Sequence, residues 1–291
     1  MFAAPPIIKP EVFAQIPDVL WKTGRRMSIL EGPSFDRDGN LYVVNVSYGQ
    51  VFRISPSGNV SLITEYDGEP NGLKIHQDGR IFIADHKKGL LLMDPNSGQI
   101  TNVLSGGMHE PFRGLNDLFF NSKGDLFFTD QGESDLRVPH GRVWTLTLDG
   151  KLKLVIDGLP SPNGLVVTPD DNFLYLAVTR ANAIWRIPMR KDGTLGRVGT
   201  WIQMSGGGGP DGLALDQDGG IAVAHAGMGS VWLFNDLGRA TAEIPAPRGR
   251  LTTNVAYGGA DRSSLFITEA DTHTVLVAQV PTPGLKMYSG V

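Results

Sequence analysis

The sequence predicts an all-β fold, a six-bladed β-propeller, and three observations carry that prediction. One short segment shape recurs six times at the spacing of a propeller blade. Glycine supplies 37 of 291 residues, well above a usual share of about 7%, so tight turns and short strands must be many. No stretch reads as a capped amphipathic helix.

The recurring segments are EGPSFDRDGNLYVVN from Glu31, NGLKIHQDGRIFIAD from Asn71, NDLFFNSKGDLFFTD from Asn116, NGLVVTPDDNFLYLAV from Asn163, DGLALDQDGGIAVAH from Asp211 and NVAYGGADRSSLFIT from Asn254. Their spacings are 40, 45, 47, 48 and 43 residues. Seven residues after each anchor stand Asp38, Asp78, Lys123, Asp170, Asp218 and Asp261, and a glycine follows in four of the six. Each unit reads as strand, polar turn, strand: runs such as GLVVT and FLYLAV have strand composition, and the D-G or D-D between them supplies turn chemistry. Two further strands fit in each unit, as AIWRIPM and GTWIQM do after Asn163, which makes a four-stranded blade.

At the N-terminus, IIKPEVFAQI (7–16) is strand-like and precedes the first anchor. It is expected to pair as the outer strand of the sixth blade and so cover an exposed edge. The repeat runs without a composition break, which predicts one domain over 1–291 with its core at about 9–282. The last ten residues read as a loose tail.

Composition narrows the function classes. Hydrophobic residues at 41% and charged residues at 19% are those of a globular chain. A net charge of −4 offers no basic stripe for nucleic acid. With no cysteine, disulfides, thiolate metal sites and a cysteine nucleophile are excluded. No apolar run approaches the ~18 residues needed to cross a membrane, and MFAAPPIIKPEVF lacks the pattern of a secretory signal. The expectation is a cytoplasmic protein with no membrane or nucleic-acid partner.

In a propeller the first strand of each blade is innermost, and all six start at one end of the central channel. The anchors Glu31, Asn71, Asn116, Asn163, Asp211 and Asn254 should therefore surround one axis. Two carboxylates and four amides form an all-oxygen donor set, which suits a hard cation, calcium above magnesium, with zinc or manganese as alternatives. Taken singly, an Asn-Gly or Asp-Gly is a common turn dipeptide. The metal reading rests on polarity at all six positions and on two like charges that would repel on a crowded axis without a cation between them. It is strongest for Glu31, Asn163 and Asp211. Asn71 and Asn254 stay open between ligand and satisfied channel amide.

At these residues the sequence resembles the SMP-30/gluconolactonase/LRE family, with the regucalcins and, more distantly, the diisopropylfluorophosphatase-type propellers. The motifs are EGPSF at Glu31, LND at Asn116, FFTD ending at Asp130, SPNGLVVTPD at Asn163, PDGLALDQDG at Asp211 and TTNVAYGGADRSSLFIT at Asn254. The resemblance implies a catalytic divalent ion held by Glu31, Asn163 and Asp211, with Asn116 on the metal or the substrate carbonyl. It implies Asp211 as general base or nucleophile, and hydrolysis of a lactone. It also has departures. Ser34 and Phe35 follow EGP where aldonolactonases often carry a tryptophan, and Arg113 stands three residues before Asn116, not two. The resemblance therefore leaves the lactone unnamed.

Around the anchors, the second strands should end with Asn45, Asp85, Asp130, Thr179, His225 and Glu269. Asp130 is a candidate to orient an asparagine ligand. His225 is a candidate substrate-binding or proton-carrying group, with a satisfied structural histidine as the alternative, as also for His86. Arg113 is a candidate for holding a substrate anion or hydroxyl, against a surface ion pair. The segments 105–114, 131–142 and 205–210 are long enough to form a substrate wall. The four glycines 206–209 precede no helix and so are no phosphate cradle. There is neither a G-x-S-x-G elbow nor an H-E-x-x-H pair. The expected activity is metal-dependent opening of a small lactone. The alternatives are hydrolysis of a phosphotriester or another ester at the same ion, or a calcium-stabilised binding propeller without turnover.

Overall fold

The computed structural model describes residues 4–22, 24, 27–107 and 110–290. Among these, six four-stranded antiparallel sheets and one two-stranded ribbon account for the strands, and the sole helical pieces are two single 3-10 turns, Val46–Tyr48 and Thr179–Ala181. The sheets are the six blades of a propeller. Five are built from consecutive strands over 30–65, 70–104, 115–159, 162–203 and 209–245. The sixth takes its inner three strands from 252–279 and its outer strand, Glu11–Gln15, from the N-terminus. Glu11 pairs with Val277 and Gln15 with Thr274, as the strand-like 7–16 segment predicts. Ile7 adds a parallel bridge to Glu243 of the fifth blade.

Burial follows distance from the axis. The second strands, such as Leu41–Asn45 and Leu126–Asp130, are buried on both faces because neighbouring blades cover them. Outer strands such as Val60–Glu65 are half exposed. The core is thus a ring of apolar layers, one between each pair of blades: Val44, Leu73 and Ile83 fill one, Phe120, Phe128 and Leu90 the next.

The innermost strands share one irregularity. Each loses register with its neighbour at the anchor: between Glu31 and Ser34, Pro70 and Gly72, Leu115 and Leu118, Pro162 and Leu165, Pro210 and Leu213, and Thr252 and Asn254. A bulge bends a strand and re-aims the side chain at that point. The glycines after the anchors serve close approach between blades. A Cβ on Gly72 would lie 2.6 Å from Asp117 Oδ1, and one on Gly212 would lie 2.0 Å from Asn254 Oδ1.

The C-terminal residues are not the loose tail read from the sequence. Gln217 N donates to Pro283 O at 2.9 Å, Leu285 N to Leu215 O at 2.9 Å, and Gly284 N to Arg262 O at 2.8 Å. The Tyr288 ring lies 5.1 Å from His76 and 5.5 Å from Phe120, and Arg37 Nε donates to Ser289 O at 3.0 Å. The segment crosses the far end of the channel from blade six to blades two and three. Leu285, Met287 and Tyr288 close an apolar cavity of about 50 Å³ with Phe35, Phe119 and Leu213. Three apolar residues within four positions are too few to establish a helical or a strand period, so nothing local marks them as a plug.

Candidate metal and catalytic site

At the opposite end, the channel opens into a polar cavity of about 600 Å³. Five of the six anchors line it: Glu31, Asn71, Asn116, Asn163 and Asp211. Glu31, Asn116 and Asn163 are buried, and Asp211 is partly open to the cavity. Glu31 Oε2 accepts from Gly32 N at 2.7 Å and from Asn254 Nδ2 at 2.8 Å. Asn254 does not line the cavity. Its amide also reaches Asp117 Oδ2 at 3.3 Å across the channel, and its own oxygen accepts from Val255 N at 2.8 Å. Every polar atom of Asn254 is thus committed, which is the satisfied-amide arrangement.

Asp117 is a third acid in this cluster, and the sequence reading did not include it. It stands where most units carry the glycine after the anchor, so its signal was a departure from the repeat. It is buried, with Oδ1 accepting from Leu118 N at 2.8 Å. The three acids act on one another. Burial, and then the charge of Asp117, push Glu31 up to about 8 against the pull of the Gly32 N–H, Asn254 and Lys74. Burial, and then the charges of Glu31 and Asp117, hold Asp211 well above the usual carboxylate range, with the Asn163 side chain opposing. Like charges collected in a poorly solvated place retain protons.

Does this set suit a hard cation? Among the described residues, no three His, Cys, Asp or Glu side chains converge as a metal-holding group by themselves. The donors that do gather are two carboxylates and amide oxygens, a mixture that calcium accepts. One observation points outward to a missing partner: Asn163 Oδ1 is buried and accepts no hydrogen bond. A buried carbonyl oxygen is costly to leave unpaired, and here it lies beside two acids that repel one another. The residues fit a divalent cation.

The remaining positions divide. Asn116 Nδ2 donates to Gln131 Oε1 at 3.1 Å, and Gln131 Nε2 donates to Ser161 Oγ at 2.9 Å. Gln131, which opens the 131–142 segment expected to form a wall but was not singled out there, holds this asparagine; Asp130 does not. Asp130 instead accepts from Arg113 N, Gly114 N and the Arg142 guanidinium. Asp85 and Glu269 do likewise for the loops beside them. These strand-end acids are loop anchors, because each meets several unpaired backbone N–H groups.

Arg113 does not line the cavity. Its guanidinium turns to the His140 carbonyl and to Glu110, 3.6 Å away, on the outer side of the third blade. The fold draws it there because Asp130 fixes its backbone. His225 is also outside the cavity wall. It is buried, its Nε2 lies 3.0 Å from Gly206 O, and burial pushes its pKa down. His86 lies beside the rim, 3.8 Å from Glu133. Of the three long segments, 131–135 builds the wall, while Gly106–Gly107 pairs with Glu110–Pro111 in a ribbon against Trp144. Thr179 and Arg180 complete the lining from the fourth blade.

The SMP-30/gluconolactonase/LRE-like region model matches residues 29–271, five-sixths of the chain and all six anchors. The chain belongs to this family. Its relatives include the lactonase drp35 of Staphylococcus aureus strain MRSA252, 31% identical over 258 residues that cover 84% of this chain and 78% of the relative. Solved structures of like fold include a calcium-binding regucalcin from Agrobacterium tumefaciens, with a TM-score of 0.83, 23% identity and 100% of both chains covered. A gluconolactonase from Xanthomonas campestris superposes with a TM-score of 0.77 at 23% identity, covering 88% of this chain and 87% of that one. The family match ends before the C-terminal plug and begins after the N-terminal strand, so both closures of the ring lie outside it. No helix among the described residues is long and apolar enough to cross a membrane.

Proposed function

We propose that this protein is a metal-dependent lactonase, with one divalent cation, calcium, held by Glu31, Asn163 and Asp211. The observation that carries the reading is the orphaned Asn163 oxygen beside two proton-retaining acids at the closed end of a polar cavity. Relatives named as lactonases supply the reaction class. Held by Glu31, Asn163 and Asp211, a divalent cation would supply Lewis-acid polarisation of the ester carbonyl and offset charge developing on its oxygen.

The chain's own groups do the rest. Asn116, steadied by Gln131, keeps a second N–H on Nδ2 that can donate to the ester carbonyl oxygen. Asp211 takes a proton from the water that attacks the carbonyl carbon. That proton passes to the ring oxygen as the C–O bond breaks, which leaves a hydroxy acid. Holding water and ester together against Asp211 supplies much of the acceleration. Glu31, fixed by Gly32 N and Asn254, positions the cation and does not need to move.

The test is acid release from a panel of lactones, with protein stripped by chelator and resupplied with calcium, zinc or manganese. Loss on stripping and return with calcium supports the reading; full activity in the chelated protein overturns it. Return with zinc or manganese alone would keep the lactonase and replace the metal. No lactone opened under any ion, with a phosphotriester hydrolysed instead, would move the same site to phosphoester chemistry.

A further inference from the structure

The mouth of the cavity is not symmetric about the axis. Where the second strands run out, blades two, three and four present His86, Gln131 and the pair Thr179–Arg180, while blades five, six and one present Ala226, Ala270 and Val46. Apart from Ile29, the described wall that rises above the anchors also comes from blades three and four. Among the described residues, a polar substrate therefore finds its partners at the rim on one side of the ring.

Arg180 is the one lysine or arginine among the described residues lining that cavity, and the acids Glu31, Asp211, Glu133 and Asp135 share the wall with it. It nevertheless pairs with none of them and has no hydrogen bond to any described residue. The acids have other partners: Glu133 lies near His86, and Asp135 accepts from Arg137 N at 2.9 Å and Val138 N at 2.7 Å. The backbone under Arg180 is fixed. Thr179 N donates to Ser161 O at 3.0 Å, Thr179 Oγ1 to Pro210 O at 2.8 Å, and Asn182 Nδ2 to Gly206 O at 2.8 Å. An arginine serving the fold would pair with a neighbouring acid. This one stands on a rigid turn with its donors unspent, facing the cavity. A guanidinium matches a carboxylate with two parallel N–H···O bonds, a geometry that a neutral hydroxyl cannot return.

We infer that Arg180 is the specificity residue of the site and selects substrates that carry a carboxylate remote from the reacting ester, held on the side of blades two to four. The inference rests on the lactonase reading for the reacting group alone.

The experiment compares D-glucaro-1,4-lactone, which carries a free carboxylate, with D-glucono-1,4-lactone, the neutral counterpart, on the calcium-loaded full chain. The wild type should favour the carboxylate lactone by about tenfold or more in kcat/KM, the size expected of one charge-assisted pair. Arg180→Gln should remove that preference chiefly through KM, and Arg180→Lys should keep part of it. A wild type that prefers the neutral lactone, or a preference unchanged in Arg180→Gln, overturns the inference. If neither lactone is opened, the lactonase reading is what has failed, and calorimetric binding of D-glucarate against D-gluconate decides the inference separately. Tighter glucarate binding that is lost in Arg180→Gln supports it, and equal binding of the two overturns it.

Discussion

The two ends of the channel are made by the same six strands. Near one end these strands carry Glu31, Asn71, Asn116, Asn163, Asp211 and Asn254, the first five around a polar cavity. Four residues later they finish with Phe35, Ile75, Phe120, Val167, Leu215 and Gly258, most of them facing the C-terminal plug. At about 3.3 Å per residue the two environments are roughly 13 Å apart. The dry end explains the wet one. Because Leu285, Met287 and Tyr288 close the channel from below, the acids above are solvated from the cavity side alone, and burial leads the causes that raise Glu31 and Asp211.

The largest expected effect breaks the polar end. Asp211→Asn should cut lactone turnover by about 10²–10⁴-fold, the range for loss of a positioned base. It should also raise the thermal stability of the cation-free protein, because one of three crowded acids in a poorly solvated place is gone. A variant that keeps full turnover with the cation bound would remove Asp211 from the base role.

The next breaks the apolar end. Deleting residues 281–291 exposes the channel and strips the plug from His76, Phe120 and Leu215. The expected loss is about 3 kcal/mol, as for truncating one large core side chain, read as a lower denaturation midpoint with the slope preserved. An unchanged midpoint would mean that the plug adds nothing to the ring.

The smallest tests the link between the ends. Glu31 has a folded-state pKa raised from 4.5 to about 8. Its protonated form therefore contributes stability that is fully present below 4.5 and is lost as pH rises through about 8. Cation-free protein should lose stability over that window. A divalent cation taken up at these acids would have to displace those protons, so the proposed calcium affinity should climb with pH by up to about tenfold per unit for each proton released. Calorimetry in buffers of different ionisation enthalpy measures that release, and binding without proton release would show that the acids are already charged.

Much of this was legible beforehand because a propeller repeats. A register that holds six times places Glu31, Asn163 and Asp211 on one axis before any coordinate is known, and the N-terminal strand follows from the need to cover an edge. Asp117 was hidden by the same repetition: it occupies a glycine position, and only the bulges and the missing Cβ of Gly72 show that a side chain fits there. The length of 131–142 marked it as a wall but did not single out Gln131, and nothing local marks Arg180 as facing the cavity. Arg113 was drawn to the site by its closeness in sequence to Asn116, yet Asp130 holds its backbone and its guanidinium turns outward.

The sequence by itself determined the blade count, the strand order and the ring of oxygen donors, because these follow from period and chain direction. The tertiary structure alone decided which acids crowd together, which side of the rim is polar, and where the last ten residues go. Those outcomes depend on contacts between segments more than a hundred residues apart, such as Asn254 with Asp117 and Tyr288 with His76. No local pattern encodes a contact whose partner is supplied by another blade.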